Sequence, residues 1–383
     1  MLTFLPDAGP MQRLDSLDGL RGVLAAYVLL GHMAPFAPLP AWLQSAVSHG
    51  GAAVDLFFAL SGLVIAQSLS RAGGRAAPFL IARVARIFPV FLLAFAVAVA
   101  VAPLPCGYEF MPWIAPDSPV RDICVSVWPS AWLAEIGTHL TMTHGLFPAA
   151  VLPDAWIGFL GAAWSLSAEW QFYVVALLAA RRRAGLCWIL LALAAAGTVW
   201  RLAGPDAWQF SRAFLPNKAQ FFALGAASVA VVEWEDGAWR RYGLVFAVTM
   251  VLCATLGTVG KLLPPLAWTL FLAARAAPAT ARAVAVVFAN RSARYLGAIS
   301  YCLYLVNEPI HKIAGPAVGW LAGGNGLLFT ALWLPVAAGV PFAAAAWLHV
   351  CLEAPAIRRG RKIAGKFAAD GTEAIVRQRA RGV

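Results

Sequence analysis

Charge is scarce in this sequence. Only 12% of its 383 residues are Asp, Glu, Lys or Arg, where a soluble domain carries about a quarter. Apolar residues make up 61%, and mean hydropathy is +0.74. An ordinary soluble domain is excluded, and an integral membrane protein is left. Short alternating segments are missing too. The apolar runs are helix-length, which excludes an outer-membrane barrel and predicts an all-α polytopic membrane protein. The opening "MLTFLPDAGPMQRLD" has no basic region leading into a short apolar core, so the first apolar span is expected to be retained. The six cysteines form no C-x-x-C pair. Cys106 and Cys124 alone share an expected outer loop, which admits a disulfide there. No stretch is left over for a separate soluble domain, and no internal repeat marks a paired-half transporter.

What charge there is has a pattern. Hydropathy predicts ten spans, at 19–36, 51–70, 84–102, 161–180, 184–203, 213–232, 242–260, 263–279, 295–314 and 325–350. With the N-terminus inside, all but six of the 29 Lys and Arg residues fall on the inner side. The six are Arg121, Arg201, Arg212, Lys218, Lys261 and Lys312. Basic residues favour cytoplasmic flanks, so both termini are expected in the cytoplasm. The net charge of +11 therefore points to the bilayer and not to nucleic acid. The expected layout is a membrane domain over 1–355 and a basic cytoplasmic tail over 356–383.

The segment 128–147 is ambiguous. Counting it as a span would put the Arg181–Arg183 cluster outside, and it carries Glu135, His139 and His144. It is predicted to be an interfacial or re-entrant helix in a large outer loop, 103–160. His139 and His144 are five apart, not the i, i+4 of a helical metal pair. They are expected at the surface, and no metal site is expected.

"RGVLAAYVLLGH" (21–32) carries the informative polar residues of the first span. A helix rises about 1.5 Å and turns about 100° per residue, so Arg21 and His32 lie ~16 Å apart along the axis and only ~20° apart in azimuth. One face then holds a cation at the inner rim and an imidazole in the outer half. Asp55 on the second span and Glu169 on the fourth enter from outside to roughly 6 and 12 Å. Ser165 and Tyr173 flank Glu169 at i−4 and i+4. Tyr301, Tyr304, Asn307 and Glu308 lie in the outer half of the ninth span. Ionisable groups in a membrane are costly and usually face a cavity. Arg83 and Arg86, one turn apart at the start of the third span, form an anion site near Arg21. Each has a plainer reading: a structural histidine, a helix cap at Asp55, and topology signals at the two arginines.

These stretches, in order, resemble the acyltransferase-3 family of membrane-bound acyltransferases. The similar pieces are "LDSLDGLRGVLAAYVLLGH" (14–32), "GAAVDLFFALSGLVI" (51–65), "RVARIFPVFLL" (83–93), "WSLSAEWQFY" (164–173), "FFALGA" (221–226), "YLGAISYCLYLVNEPI" (295–310) and "LEAPAIRR" (352–359). The resemblance places the family's Arg-ten-residues-His motif on Arg21 and His32, its basic pair on Arg83 and Arg86, and its W-S-L-S-x-E glutamate on Glu169. It departs at Asn307, where many members have a histidine, and it lacks the hydrolase-like domain fused to some members.

The resemblance implies acyl transfer, commonly of acetyl, from cytoplasmic acyl-CoA to a hydroxyl of a surface or exported glycan or glycolipid. Acyl-CoA would be a co-substrate, with no permanently bound cofactor. Arg21, Arg83 and Arg86 would hold its phosphates. His32 would act as base or carry the acyl group, with Asp55 or Glu169 setting its tautomer. Ser165, Tyr173, Tyr304 and Asn307 would contact substrate, and the Trp-rich loop 103–160 would recognise the acceptor. A transporter or flippase with His32 and Glu169 as proton relay is the competing expectation.

Overall fold

The protein is described here by a computed structural model covering residues 12–118, 121, 128–180, 183–255 and 259–381. Among the described residues there is no strand. The chain is a helical bundle, and its surface carries large apolar side chains such as Leu178, Leu270, Val286 and Trp347. In water that surface would be costly; against lipid it is the expected face of a multi-pass membrane protein.

Each of the ten expected spans coincides with a helix. They are α1 (Gln12–Met33), α3 (Gly50–Arg71), α4 (Ala76–Val101), α6 (Trp164–Leu178), α7 (Arg183–Ala203), α8 (Ala219–Val232), α9 (Ala238–Thr255), α10 (Leu263–Ala276), α12 (Arg291–Ala322) and α13 (Gly326–Leu348). Two short helices lie between spans, α2 (Ala41–Val47) and α5 (Trp132–Leu140). Five apolar helical stretches are long enough to cross a membrane alone, and α10 with α11 (Pro278–Phe288) makes a sixth if the pair counts as one span. That pair is bent by 111°. Pro278 is the cause, because the residue before a proline avoids helical ψ, and Ala277 sits at ψ 126°. The span expected at 213–232 begins only at Ala219, since Pro216 breaks the preceding turn.

After the last expected span the chain stays helical. After α13 a π-helical turn, His349–Glu353, leads straight into α14 (Ala354–Arg381). α14 packs along α4, where a side chain on Gly360 would come within 2.3 Å of the Ala85 methyl. Cys106 is disulfide-bonded, and Cys124 lies outside the described residues.

Helix α1 is gripped mainly by α12, and α3 mainly by α8. The α1–α12 contact is backbone on backbone. A Cβ on Gly22 would lie 2.5 Å from the Gly297 nitrogen, and one on Gly297 would lie 2.1 Å from the Asp18 carbonyl oxygen. Small residues permit that approach, as they do between membrane helices generally. At the other end of α1, the buried Trp333 indole on α13 donates to the Met33 carbonyl at 2.8 Å. These contacts fix both the height and the rotation of α1.

The segment expected as an interfacial helix contains α5, nine residues long. That is about 14 Å by helical rise, too short to span. Its histidines are not at the surface. His139 is 0% exposed and His144 is 1% exposed. Met142 adopts a left-handed φ of 56°, which turns the chain back after α5. The two imidazoles then stack at 4.2 Å between ring centroids, and Phe95 stacks on His139 at 5.1 Å. Burial pulls His139 down to about 4. Burial, then the neighbouring His139, pulls His144 down to about 3.

Both imidazoles are thus buried neutral, while unfolded histidine titrates near 6.5. The unfolded loop binds more protons below that value. Stability is therefore full above about pH 6.5 and is lost on acidification, by up to about 1.4 kcal/mol per pH unit for each ring. Hydrogen exchange of 132–147, corrected for intrinsic pH effects, should show protection falling between pH 6.5 and 4.5. His139→Phe, which keeps the stack, should shallow that fall. Protection independent of pH would mean that the stack is not buried as described.

Candidate active site

α1 is unbroken from Gln12 to Met33, so the helical phase between Arg21 and His32 holds, with ~16 Å of rise between them. The His32 side chain is 28% exposed. Its Nδ1 lies 2.6 Å from Asn307 Oδ1 on α12. The identity of that asparagine atom follows from its other bonds. Asn307 Nδ2 donates to the Leu303 carbonyl at 3.0 Å and to the Tyr304 carbonyl at 2.7 Å. A flipped amide would set carbonyl against carbonyl, so Oδ1 faces the imidazole. Oδ1 can only accept, which puts the proton on Nδ1 and leaves the Nε2 lone pair free. Asn307 is 0% exposed, and its amide is spent on the protein. It orients the ring and is not open to a sugar hydroxyl.

The carboxylate in ion-pair range of this ring is Glu308, whose Oε1 is 3.9 Å from Nδ1. Its Oε2 accepts the Ala162 amide at 2.8 Å, which ties α12 to the turn that starts α6. Asp55 and Glu169, expected to hold the ring, have other partners. Asp55 accepts from Lys218 Nζ at 2.5 Å. Glu169 Oε1 accepts from Tyr173 at 2.6 Å and from Ser61 through a short hydrogen bond. The Glu169–Tyr173 bond is the i, i+4 contact expected from the sequence. Ser165, on the same helix, bonds instead to Tyr304 at 3.0 Å. The Tyr301 hydroxyl donates to the Ile87 carbonyl at 2.7 Å.

The Arg21 end of the bundle gathers cations. Arg21 bonds Asp18 at 3.2 Å and lies within electrostatic reach of Arg86, Glu169 and Glu353. Arg83 Nη2 donates to Ser68 at 2.9 Å, while its Nε is buried with no acceptor among the described residues. The Arg86 guanidinium makes no hydrogen bond or ion pair to any described residue. Glu353, 2% exposed in the π-helical turn, accepts from His349 at 2.8 Å and from Cys302 at 3.3 Å. Arginine donors left without acceptors suit a multivalent oxyanion.

Sequence reasoning named Glu308 among the polar residues of the ninth span but gave it no role at His32, and it missed Ser61, Lys218 and Glu353 as members of this polar network. Glu308 had a signal, since it follows Asn307 directly at the same depth. Glu353 sat in a matching motif. Ser61 and Lys218 are joined to their carboxylates only by tertiary packing.

The family described as an acyltransferase domain, Acyl_transf_3, matches residues 14–350. The chain is 28% identical over 396 residues to the acyltransferase MdmB of Streptomyces mycarofaciens, spanning 90% of this chain and 92% of that protein. It is 39% identical over 98 residues to protein 2 in the picA locus of Rhizobium radiobacter, spanning 24% of this chain and 47% of that one. No solved structure matches the chain.

The tautomer is directly measurable. In protein labelled with 15N-histidine, neutral His32 should show a protonated Nδ1 and a bare Nε2, assigned by loss of its signals in His32→Gln. Asn307→Leu removes the acceptor and should give a mixture of both tautomers. A bare Nδ1 in the unsubstituted protein would contradict the Asn307 geometry.

Proposed function

The chain belongs to the Acyl_transf_3 acyltransferase family and is a multi-pass membrane acyltransferase, and from that premise we propose that it moves an acyl group, acetyl in the first instance, from cytoplasmic acyl-CoA to a hydroxyl of an exported or surface glycan or glycolipid. The observation that carries this reading is the single face of α1. It runs from Arg21, within electrostatic reach of Arg86 on α4, to an imidazole with a free Nε2.

In this reading the Arg21 end faces the cytoplasm of a bacterial inner membrane. Both termini would then be cytoplasmic, as the distribution of basic residues favours. The phosphates of the donor sit among Arg21, Arg83 and Arg86, which bind oxyanions through paired N–H groups. The pantetheine arm runs up the ~16 Å of α1 toward His32. Glu169, whose Oε2 has no hydrogen bond to a described residue, would accept from an amide N–H group of that arm.

The chemistry then follows from the tautomer. His32 Nε2 takes the proton of the acceptor hydroxyl as its oxygen attacks the thioester carbonyl. The C–S bond breaks, and the thiolate of CoA leaves and recovers the proton from the imidazolium. During that interval the positive ring is supported by the Glu308 carboxylate, and Asn307 keeps it in register. The same division of labour supports the imidazolium in hydrolase triads.

Purified protein should release free thiol from acetyl-CoA when offered a glycan fraction from its own cells. His32→Ala should lower kcat by about 100-fold or more, the usual worth of a positioned base. Arg83→Ala with Arg86→Ala should mainly raise the donor KM. Mass spectrometry of surface glycans should show the acyl increment lost without the gene and restored by the unsubstituted protein only. A His32→Ala variant retaining more than a tenth of the activity would contradict the assigned base.

A further inference from the structure

The six basic residues that break the inner-side rule do not scatter. Two of them are spent on backbone carbonyls. Arg121 donates to Ala115 at 3.0 Å, and Lys312 donates to Ala102 at 2.7 Å. The other four, Arg201, Arg212, Lys218 and Lys261, come from α7, two loop segments and the turn before α10. All four line one open cavity of about 680 Å³, within the range of ligand pockets. Asp55 and Asp206 are the acidic residues on its wall.

The charges in this cavity do not cancel. Lys218 is paired with Asp55 at 2.5 Å. Arg201, Arg212 and Lys261 make no hydrogen bond or ion pair to any described residue. Burial, then the Lys218 and Arg201 cations, pull the Lys261 ammonium below its usual range. Arg212 is held by its faces, with its guanidinium 4.6 Å from the Trp156 ring and 5.6 Å from the Trp164 ring. Stacking occupies the plane of the guanidinium and leaves its N–H edges free to donate. Trp164 itself lies on the cavity wall beside these cations.

The cavity adjoins the His32 network. Trp164 is followed by Ser165, which bonds Tyr304, whose carbonyl anchors Asn307. His49, also on the wall, has its amide on the Tyr27 hydroxyl of α1 at 3.3 Å. Two residues of the cavity wall, Trp164 and His49, are thus tied to the elements that carry the His32 network.

We propose that this cavity binds an oxyanion carried by the acceptor, so that the substrate is an anionic glycan, bearing a carboxylate or a phosphate, and not a neutral one. The proposal rests on the acyl-transfer reading for the word acceptor. Arg212 and Lys261 grip the anion, Arg201 adds long-range attraction, and Trp164 offers an aromatic face to the sugar ring. The Lys218–Asp55 pair holds α3 to the start of α8 and shapes the floor.

The test is binding without turnover, using the full chain in lipid nanodiscs and no acyl donor. Calorimetry, with free coenzyme A in excess to occupy the Arg21 end, would compare trigalacturonate, neutral maltotriose and inorganic pyrophosphate. At least one anionic probe should bind at least tenfold more tightly than maltotriose and weaken as salt rises. Preference between the two anions separates a sugar carboxylate from a phosphate. Arg212→Gln with Lys261→Gln should cost that anion tenfold or more, and Arg83→Gln with Arg86→Gln should not. Equal binding of neutral and anionic probes, no binding of either anion, or loss that tracks Arg83 and Arg86 would each overturn the proposal. Because no donor is present, such a failure leaves the acyl-transfer reading standing. Failed thiol release with intact anion binding would do the reverse.

Discussion

The backbone contact between α1 and α12 sets the geometry on which the rest depends. Gly22 and Gly297 let the two helices approach until a single methyl would collide with main-chain atoms. At that separation the side chains one to three turns further along meet directly. His32 then reaches Asn307 at 2.6 Å without an intervening water. The approach uses no polar group of its own. Van der Waals contact positions a hydrogen bond, and the hydrogen bond fixes a tautomer. Trp333 closes the arrangement from α13 by binding the carbonyl one residue past His32.

Polar groups inside the bundle divide by whether the protein satisfies them. Glu169 is held by Ser61 and Tyr173, Asp55 by Lys218, and Asn307 by two carbonyls. These bonds make a low-dielectric interior tolerable. Among the described residues, donors left over in the bundle gather in two places, Arg83 Nε and Arg86 at one end and Arg201, Arg212 and Lys261 at the other. A partly buried cation without a partner is costly, which favours the proposed ligands at Arg86 and Lys261, while Arg201 and Arg212 are exposed. In the proposed cycle the first set meets the phosphates of the donor and the second meets the acceptor.

The sequence showed whatever one helix decides alone. Arg21 and His32 share a face because eleven residues nearly complete three turns, and Tyr173 reaches Glu169 across one turn. The helical character of each span was equally plain from hydropathy. Pairings between helices were hidden. Asp55 looked like a partner for His32 because depth was the only available measure, but azimuth sends it to Lys218. His139 and His144 looked exposed because five residues do not share a helical face. The left-handed Met142 ends the helix between them and brings the rings together. The anomalous basic residues were visible as exceptions to a topology rule, but their convergence needed the fold.

The shared face of α1 can be broken without altering composition, charge or span length. One alanine inserted between Val23 and Leu24 rotates His32 by about 100° against Arg21 and adds only ~1.5 Å of separation. The same insertion beside Gly237, in the turn before α9, serves as the control, with membrane yield and protease accessibility of the C-terminal segment measured for both. The account predicts that the α1 insertion leaves membrane yield normal and abolishes acyl transfer, while the turn insertion keeps it. Near-normal transfer by a correctly inserted α1 variant would contradict the claim that one donor bridges Arg21 and His32.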